Sequence, residues 1–123
     1  MKQAFLVFLG GGIGSCLRYF ISKSLNPVIS NYFLGTFLVN VLGCLLIGLI
    51  LGYALKESFL SQNYVLLLAT GFCGGFTTFS AFAFENFSLL KNGDYFNFSL
   101  YTLGSILTGI LAIFIGLWAA KAL

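Results

Sequence analysis

The stretch Gly71-Phe72-Cys73-Gly74-Gly75-Phe76-Thr77-Thr78-Phe79-Ser80-Ala81-Phe82 lies inside a run of 27 residues, 58–84, without a charged side chain. A helix crossing the hydrocarbon core of a bilayer needs ~20 apolar residues, so this run holds one span. Two further uncharged runs are long enough, residues 24–55 and 95–120. A fourth run, residues 3–17, is shorter, but Tyr19-Phe20-Ile21 lets a helix continue past Arg18. The sequence therefore predicts an all-α membrane protein with four transmembrane helices over 3–22, 32–55, 63–89 and 95–119. Residues 1–123 read as a single four-helix transmembrane domain.

Composition excludes the alternatives. With glycine counted as apolar and tyrosine left out, about two-thirds of the chain is apolar, against ~45–50% in soluble domains. Only 7% of residues are charged, the reverse of a disordered chain. Histidine is absent, and Cys16, Cys44 and Cys73 stand singly in different spans. A disulfide framework, a Cys/His metal site and a His-dependent enzyme have nothing to be built from. No nucleic-acid partner is expected. Lys2 before an apolar run, with Ile13-Gly14-Ser15-Cys16 downstream, loosely mimics a processed signal. Because everything after it reads as membrane span, the segment is kept as a helix.

Four spans put Lys2, Lys56 and Lys121 on one side and Arg18, Lys23 and Lys91 on the other. Three against three leaves the positive-inside rule no bias to act on. Insertion in both orientations follows, with two opposed copies pairing as an antiparallel homodimer; a fixed orientation set by other features is the alternative. The pairs Gly10/Gly14, Gly48/Gly52 and Gly71/Gly75 have the GxxxG spacing that lets helix backbones approach in lipid.

Polar groups within the spans mark the candidate site, since each needs a partner where water is absent. Thr36, Asn40 and Gly43 share a face of the second span, and Tyr101, Ser105 and Thr108 form a stripe on the fourth. Asn40 either bonds a neighbouring helix or offers its amide to a polar path. In the third span, Gly74-Gly75 followed by β-branched Thr77-Thr78 makes a poor helix core, so a break near the middle is expected. Phe79 and Phe82 fall on one face after it, with Ser80 between them. They either pack as ordinary apolar bulk or present their electropositive ring edges to an anion. Arg18 and Glu85, near span ends, are candidate vestibule charges or snorkelling side chains.

The runs Gly10-Gly11-Gly12-Ile13-Gly14-Ser15-Cys16-Leu17-Arg18-Tyr19, Gly35-Thr36 with Val39-Asn40 and Gly43, and the stretch from Gly71 to Ser80 resemble the three signatures of the Fluc/CrcB fluoride channels. The resemblance covers all four spans in order. It implies a dual-topology homodimer in a microbial inner (plasma) membrane, with two antiparallel pores through which toxic fluoride leaks out. By the same resemblance, Phe79 and Phe82 line the pores, Asn40 supplies the pore-side amide, and Tyr101 and Ser105 belong to a polar track. Thr36 and Ser80 complete that candidate path. The backbone carbonyls of Gly74 and Thr77 correspond to positions that hold a central structural Na⁺, and Arg18 to a basic vestibule residue. One departure is visible: Gly109, with Thr108 beside it, stands where a further track hydroxyl is expected. The rival class is a small four-helix proton-coupled multidrug antiporter, which is expected to carry an acidic residue in its first span; this chain has none there. A subunit without transport of its own is the third reading.

Overall fold

The computed structural model describes residues 1–28, 33–56 and 61–122. Helix α1 (Lys2–Leu25) runs into a single 3-10 turn at Asn26–Val28. It is followed by α2 (Leu34–Lys56), α3 (residues 62–76), α4 (Phe79–Lys91) and α5 (Tyr95–Ala122). Four stretches are long and apolar enough to cross a membrane: Lys2–Val28, Leu34–Leu55, Gln62–Lys91 and Tyr95–Ala122, the third formed by α3 and α4 in tandem. Each expected span falls on one of them; residue 32, the expected start of the second, lies outside the described residues. Only 11–28% of each span's most apolar window is buried inside the chain. Most of the apolar surface therefore faces outward, as lipid permits and water does not.

Helix α3 changes character along its length. It starts as α-helix at Gln62–Val65, widens to π-helix over Leu66–Cys73 and returns to α at Gly74–Phe76. The Gly74 N–H reaches back five residues to the Ala69 carbonyl, the bond that defines the wider turn. Such turns are usually single bulges, and nothing in residue type marked this one beforehand.

After Phe76 the backbone leaves the helix for two residues. Thr77 (φ −82°, ψ 158°) and Thr78 (φ −147°, ψ 119°) are both extended. Both are β-branched, the side-chain type that prefers this conformation. Thr78 then caps α4, its hydroxyl accepting the Ala81 N–H at 3.2 Å. The glycine pair expected to weaken the helix here does not do so: Gly74 is helical (φ −62°, ψ −38°), and Gly75 lies within Gly74–Phe76.

Gly75 has a different task. A β-carbon on it would collide with the backbone of Gly11, and one on Gly14 would meet the Phe72 carbonyl and, at 2.8 Å, the Phe76 N. Helix α1 thus packs along α3 backbone to backbone, while α2 packs along α5. In that second pair, Gly48 lies against Ile113 and Gly116, and Gly52 against Ala120. The glycine spacing therefore corresponds to two close helix crossings. Gly12, by contrast, has open space around it.

Gly14→Ala is expected to destabilise the protein by about 1–3 kcal/mol, because backbone cannot move aside for the added methyl. Gly12→Ala should be neutral in the same equilibrium unfolding measurement in detergent. Equal effects of the two would contradict the packing described.

Candidate functional site

The two extended residues between α3 and α4 have backbone groups that no helix satisfies. Asn40 of α2 takes both groups of Thr78: its Oδ1 accepts the Thr78 N–H at 2.7 Å, and its Nδ2 donates to the Thr78 carbonyl at 3.1 Å. An asparagine side chain is an amide, so it pairs with the strand-like residue as a neighbouring peptide would. Nearby, the Thr77 hydroxyl and N–H both bond the Cys73 carbonyl, at 2.9 and 3.0 Å. The Gly75 carbonyl accepts from Arg18 Nε at 3.0 Å and Ser15 Oγ at 3.3 Å. Arg18 thus reaches the last turn of α3 with its guanidinium.

Beside this junction lies an open groove of about 310 Å³, lined by Asn40, Thr77, Thr78, Phe79, Phe82 and Ser105, with Cys44 and Ile106. No lining side chain is charged. The rings of Phe79 and Phe82 are 6.1 Å apart at 44°, and Phe82 lies 5.1 Å from Tyr101 at 56°. Phe79 is 79% exposed, so this chain alone covers only one side of that ring. Ser105 Oγ is buried without a hydrogen-bond partner among the described residues. The Ser80 hydroxyl lies 3.3 Å from that of Thr78.

The remaining candidates gather around Glu85. Its Oε1 accepts from Thr36 Oγ1 at 2.6 Å and, at a longer 3.4 Å, from Asn26 Nδ2; its Oε2 accepts from Tyr101 OH at 2.8 Å. At 7% exposure, Glu85 does not snorkel to water, because donors from α1's end, α2 and α5 replace its water. Sequence reasoning missed Asn26, whose Oδ1 also accepts the Thr36 N–H at 3.1 Å. The Asn26-Pro27 pair is the signal that could mark a helix end here, but it says nothing of a tertiary partner.

Thr108 does not replace the hydroxyl missing at Gly109. Its Oγ1 donates to the Gly104 carbonyl of its own helix at 2.6 Å. Gly109 lies beside Cys44, whose Sγ would be in ordinary contact, 3.5 Å, with an added β-carbon.

The sequence matches the family described as CrcB-like protein, Camphor Resistance (CrcB), over residues 5–117. The chain belongs to this family. It is similar to proteins named fluoride-specific ion channel FluC from several bacteria. That of Phocaeicola vulgatus is 46% identical over 123 residues, covering 98% of this chain and 100% of the relative. That of Azobacteroides pseudotrichonymphae is 45% identical over 117 residues, 94% of each chain. That of Flavobacterium psychrophilum is 44% identical over 124 residues, the full length of both. These names, with the four apolar helices, make the chain a multi-pass membrane protein of a channel family and favour that reading over the antiporter.

Backbone carbonyls can hold a cation only where hydrogen bonds leave them free. Cys73, Gly75 and Thr78 each have their carbonyl taken within the chain, whereas those of Gly74 and Thr77 accept no hydrogen bond among the described residues. Gly74 also has nothing within 4 Å of a β-carbon position. Two uncommitted neutral oxygens fit a monovalent cation better than a divalent one, which prefers carboxylates.

Asn40→Leu is expected to lower stability by about 1–3 kcal/mol for each Thr78 backbone group left unpaired. Thr108→Val, which removes a hydroxyl bonded only within its own helix, should cost under ~0.5 kcal/mol. Reversible unfolding in detergent distinguishes them, and equal costs would contradict the pairing role given to Asn40.

Proposed function

We propose that the chain is a fluoride-selective channel that lets toxic fluoride leave the cell by passive conduction across the inner (plasma) membrane. The observation that carries this reading is the uncharged, donor-bearing groove at the α3–α4 junction. The relatives' shared name supplies the identity of the ion.

The chemistry of the groove suits a small anion in transit. Asn40 and Ser105 bring an amide and a hydroxyl, and Phe79 and Phe82 bring ring edges, which are electropositive. Helix α4 begins at Phe79, and the partial positive charge of a helix N-terminus adds to the same field. None of these is a full charge, so an ion is attracted without being trapped, as conduction requires. Ser80, Tyr101 and Thr36 stand between the groove and Glu85, the hydroxyls of Tyr101 and Thr36 donating to that carboxylate and so shielding the path from its charge. Arg18, held at Gly75, contributes a positive charge near the junction, at the vestibule of the path.

The functional unit in this reading is an antiparallel, dual-topology homodimer in the lipid bilayer, with two opposed pores. Two features of the chain support it: the balanced lysines and arginines leave orientation unbiased, and Phe79 has one open side that a second copy can close. The interruption at Thr77–Thr78 serves as the break in the third span, and two such breaks face each other across the dimer axis. A structural Na⁺ there would be held by the backbone carbonyls of Gly74 and Thr77 from both copies. When bound, it supplies the positive charge that offsets carbonyl dipoles removed from water.

Fluoride efflux from liposomes, followed with a fluoride electrode, tests the proposal. Phe79→Ile and Phe82→Ile keep apolar bulk and remove the ring edge, and each is expected to slow efflux at least about tenfold, ~1.4 kcal/mol in barrier, with the dimer intact. Wild-type efflux from both variants would return the rings to packing, and no efflux from the unmodified protein would exclude the channel.

A further inference from the structure

Helix α2 begins, among the described residues, without a capping side chain directly before it. The residue before its first turn is Phe33, which offers a backbone carbonyl to Phe37 N–H at 3.0 Å but no side-chain acceptor for the first amides. The first four N–H groups of a helix lack intrahelical partners, and leaving one unmet in an apolar setting is costly. Here the acceptor comes from another helix: Asn26, just past the end of α1, takes the Thr36 N–H on its Oδ1 at 3.1 Å. Only the amide oxygen can accept that proton, so the orientation of the side chain is set. Its Nδ2 must then point to the other side, where it meets Thr36 Oγ1 at 3.3 Å and Glu85 Oε1 at 3.4 Å.

Gly35 makes the arrangement possible. A β-carbon at that position would lie 2.7 Å from Asn26 Oδ1 and 2.7 Å from Ser22 Cα. Thr36, 1% exposed, passes its own hydroxyl proton to Glu85 at 2.6 Å, and Glu85 in turn accepts from Tyr101 at 2.8 Å. Tyr101 is packed on Phe82, a ring of the groove. One amide at the end of α1 is therefore two hydrogen bonds and one ring contact away from the groove wall.

We infer that Asn26 is a positioning residue of the conduction path: it caps α2 from outside and, through its amide donor, holds the Thr36–Glu85–Tyr101 chain in register with Phe82. The inference rests on the channel reading above. Its two halves separate chemically, because the oxygen serves the fold and the nitrogen serves the carboxylate. Asn26→Asp keeps an acceptor for the Thr36 N–H and sets an oxygen against Glu85 in place of the donor.

Single-channel recording of fluoride current in planar bilayers, alongside thermal unfolding of the purified protein, tests it. Asn26→Asp, which sets a second carboxylate against buried Glu85, is expected to lose some thermal stability and about tenfold in unitary current. Asn26→Ser, too short to reach both partners, is the second variant should the first not assemble, and a reduced unitary current is expected there too. Wild-type unitary current in every variant that assembles, with only fewer channels per bilayer, would overturn the inference and leave Asn26 a purely structural cap. An unmodified protein that passes no fluoride current would instead overturn the channel reading, and this inference with it.

Discussion

A polypeptide inside a bilayer must satisfy its own backbone, and the bidentate contact between Asn40 and Thr78 is where this chain meets that demand outside a helix. Two consecutive extended residues free N–H and C=O groups that lipid will not hydrate. An asparagine on the adjacent helix is the smallest side chain that both donates and accepts in the geometry of a peptide. With that pairing in place, α3 can end at Phe76 and α4 can start again at Phe79, and the side chains around the junction converge on one groove. Without it, a continuous helix would be the cheaper backbone, and Thr78 and Phe79 would not meet Asn40 and Ser105.

The close crossings of α1 with α3 and α2 with α5 hold this junction in position. Backbone contact through glycine lets Ser15 and Arg18 reach the Gly75 carbonyl, so the last turn of α3 is anchored from one side by α1 and from the other by α2. The Glu85 cluster plays a similar part farther along α4, drawing donors from α1's end, α2 and α5 to one carboxylate. A groove that carries no charge of its own is thus framed by charged residues already engaged with the protein. In the proposed function, that division lets an anion pass weak donors without meeting a strong counter-ion.

The parts of this architecture that were legible in the sequence are those that depend on local composition. Uncharged runs locate the four spans because a bilayer selects on length and hydropathy alone, and the GxxxG pairs locate helix contacts because only glycine lets backbones touch. Thr36, Asn40, Tyr101 and Ser105 stood out as polar residues where polarity is expensive. What could not be read depended on contacts between distant segments. The glycines and threonines from Gly74 to Thr78 together looked like the weak point; a helix packed against α1 keeps the glycines helical, and the chain opens at the threonine end of that stretch. Glu85 looked like an end-of-span charge because its three donors come from residues 26, 36 and 101. The π-helical stretch of α3, the cap supplied by Asn26 and the role of Gly35 have no local signature.

The most direct test is the reversal potential of the reconstituted protein in a planar bilayer with fluoride on one side, chloride on the other and equal pH on both. Passive conduction through a fluoride-selective path predicts a sustained current whose reversal shifts with fluoride concentration as the fluoride equilibrium potential does, and which a pH gradient leaves unmoved. A reversal that follows chloride, or a current that exists only while a proton gradient is imposed, would contradict the account.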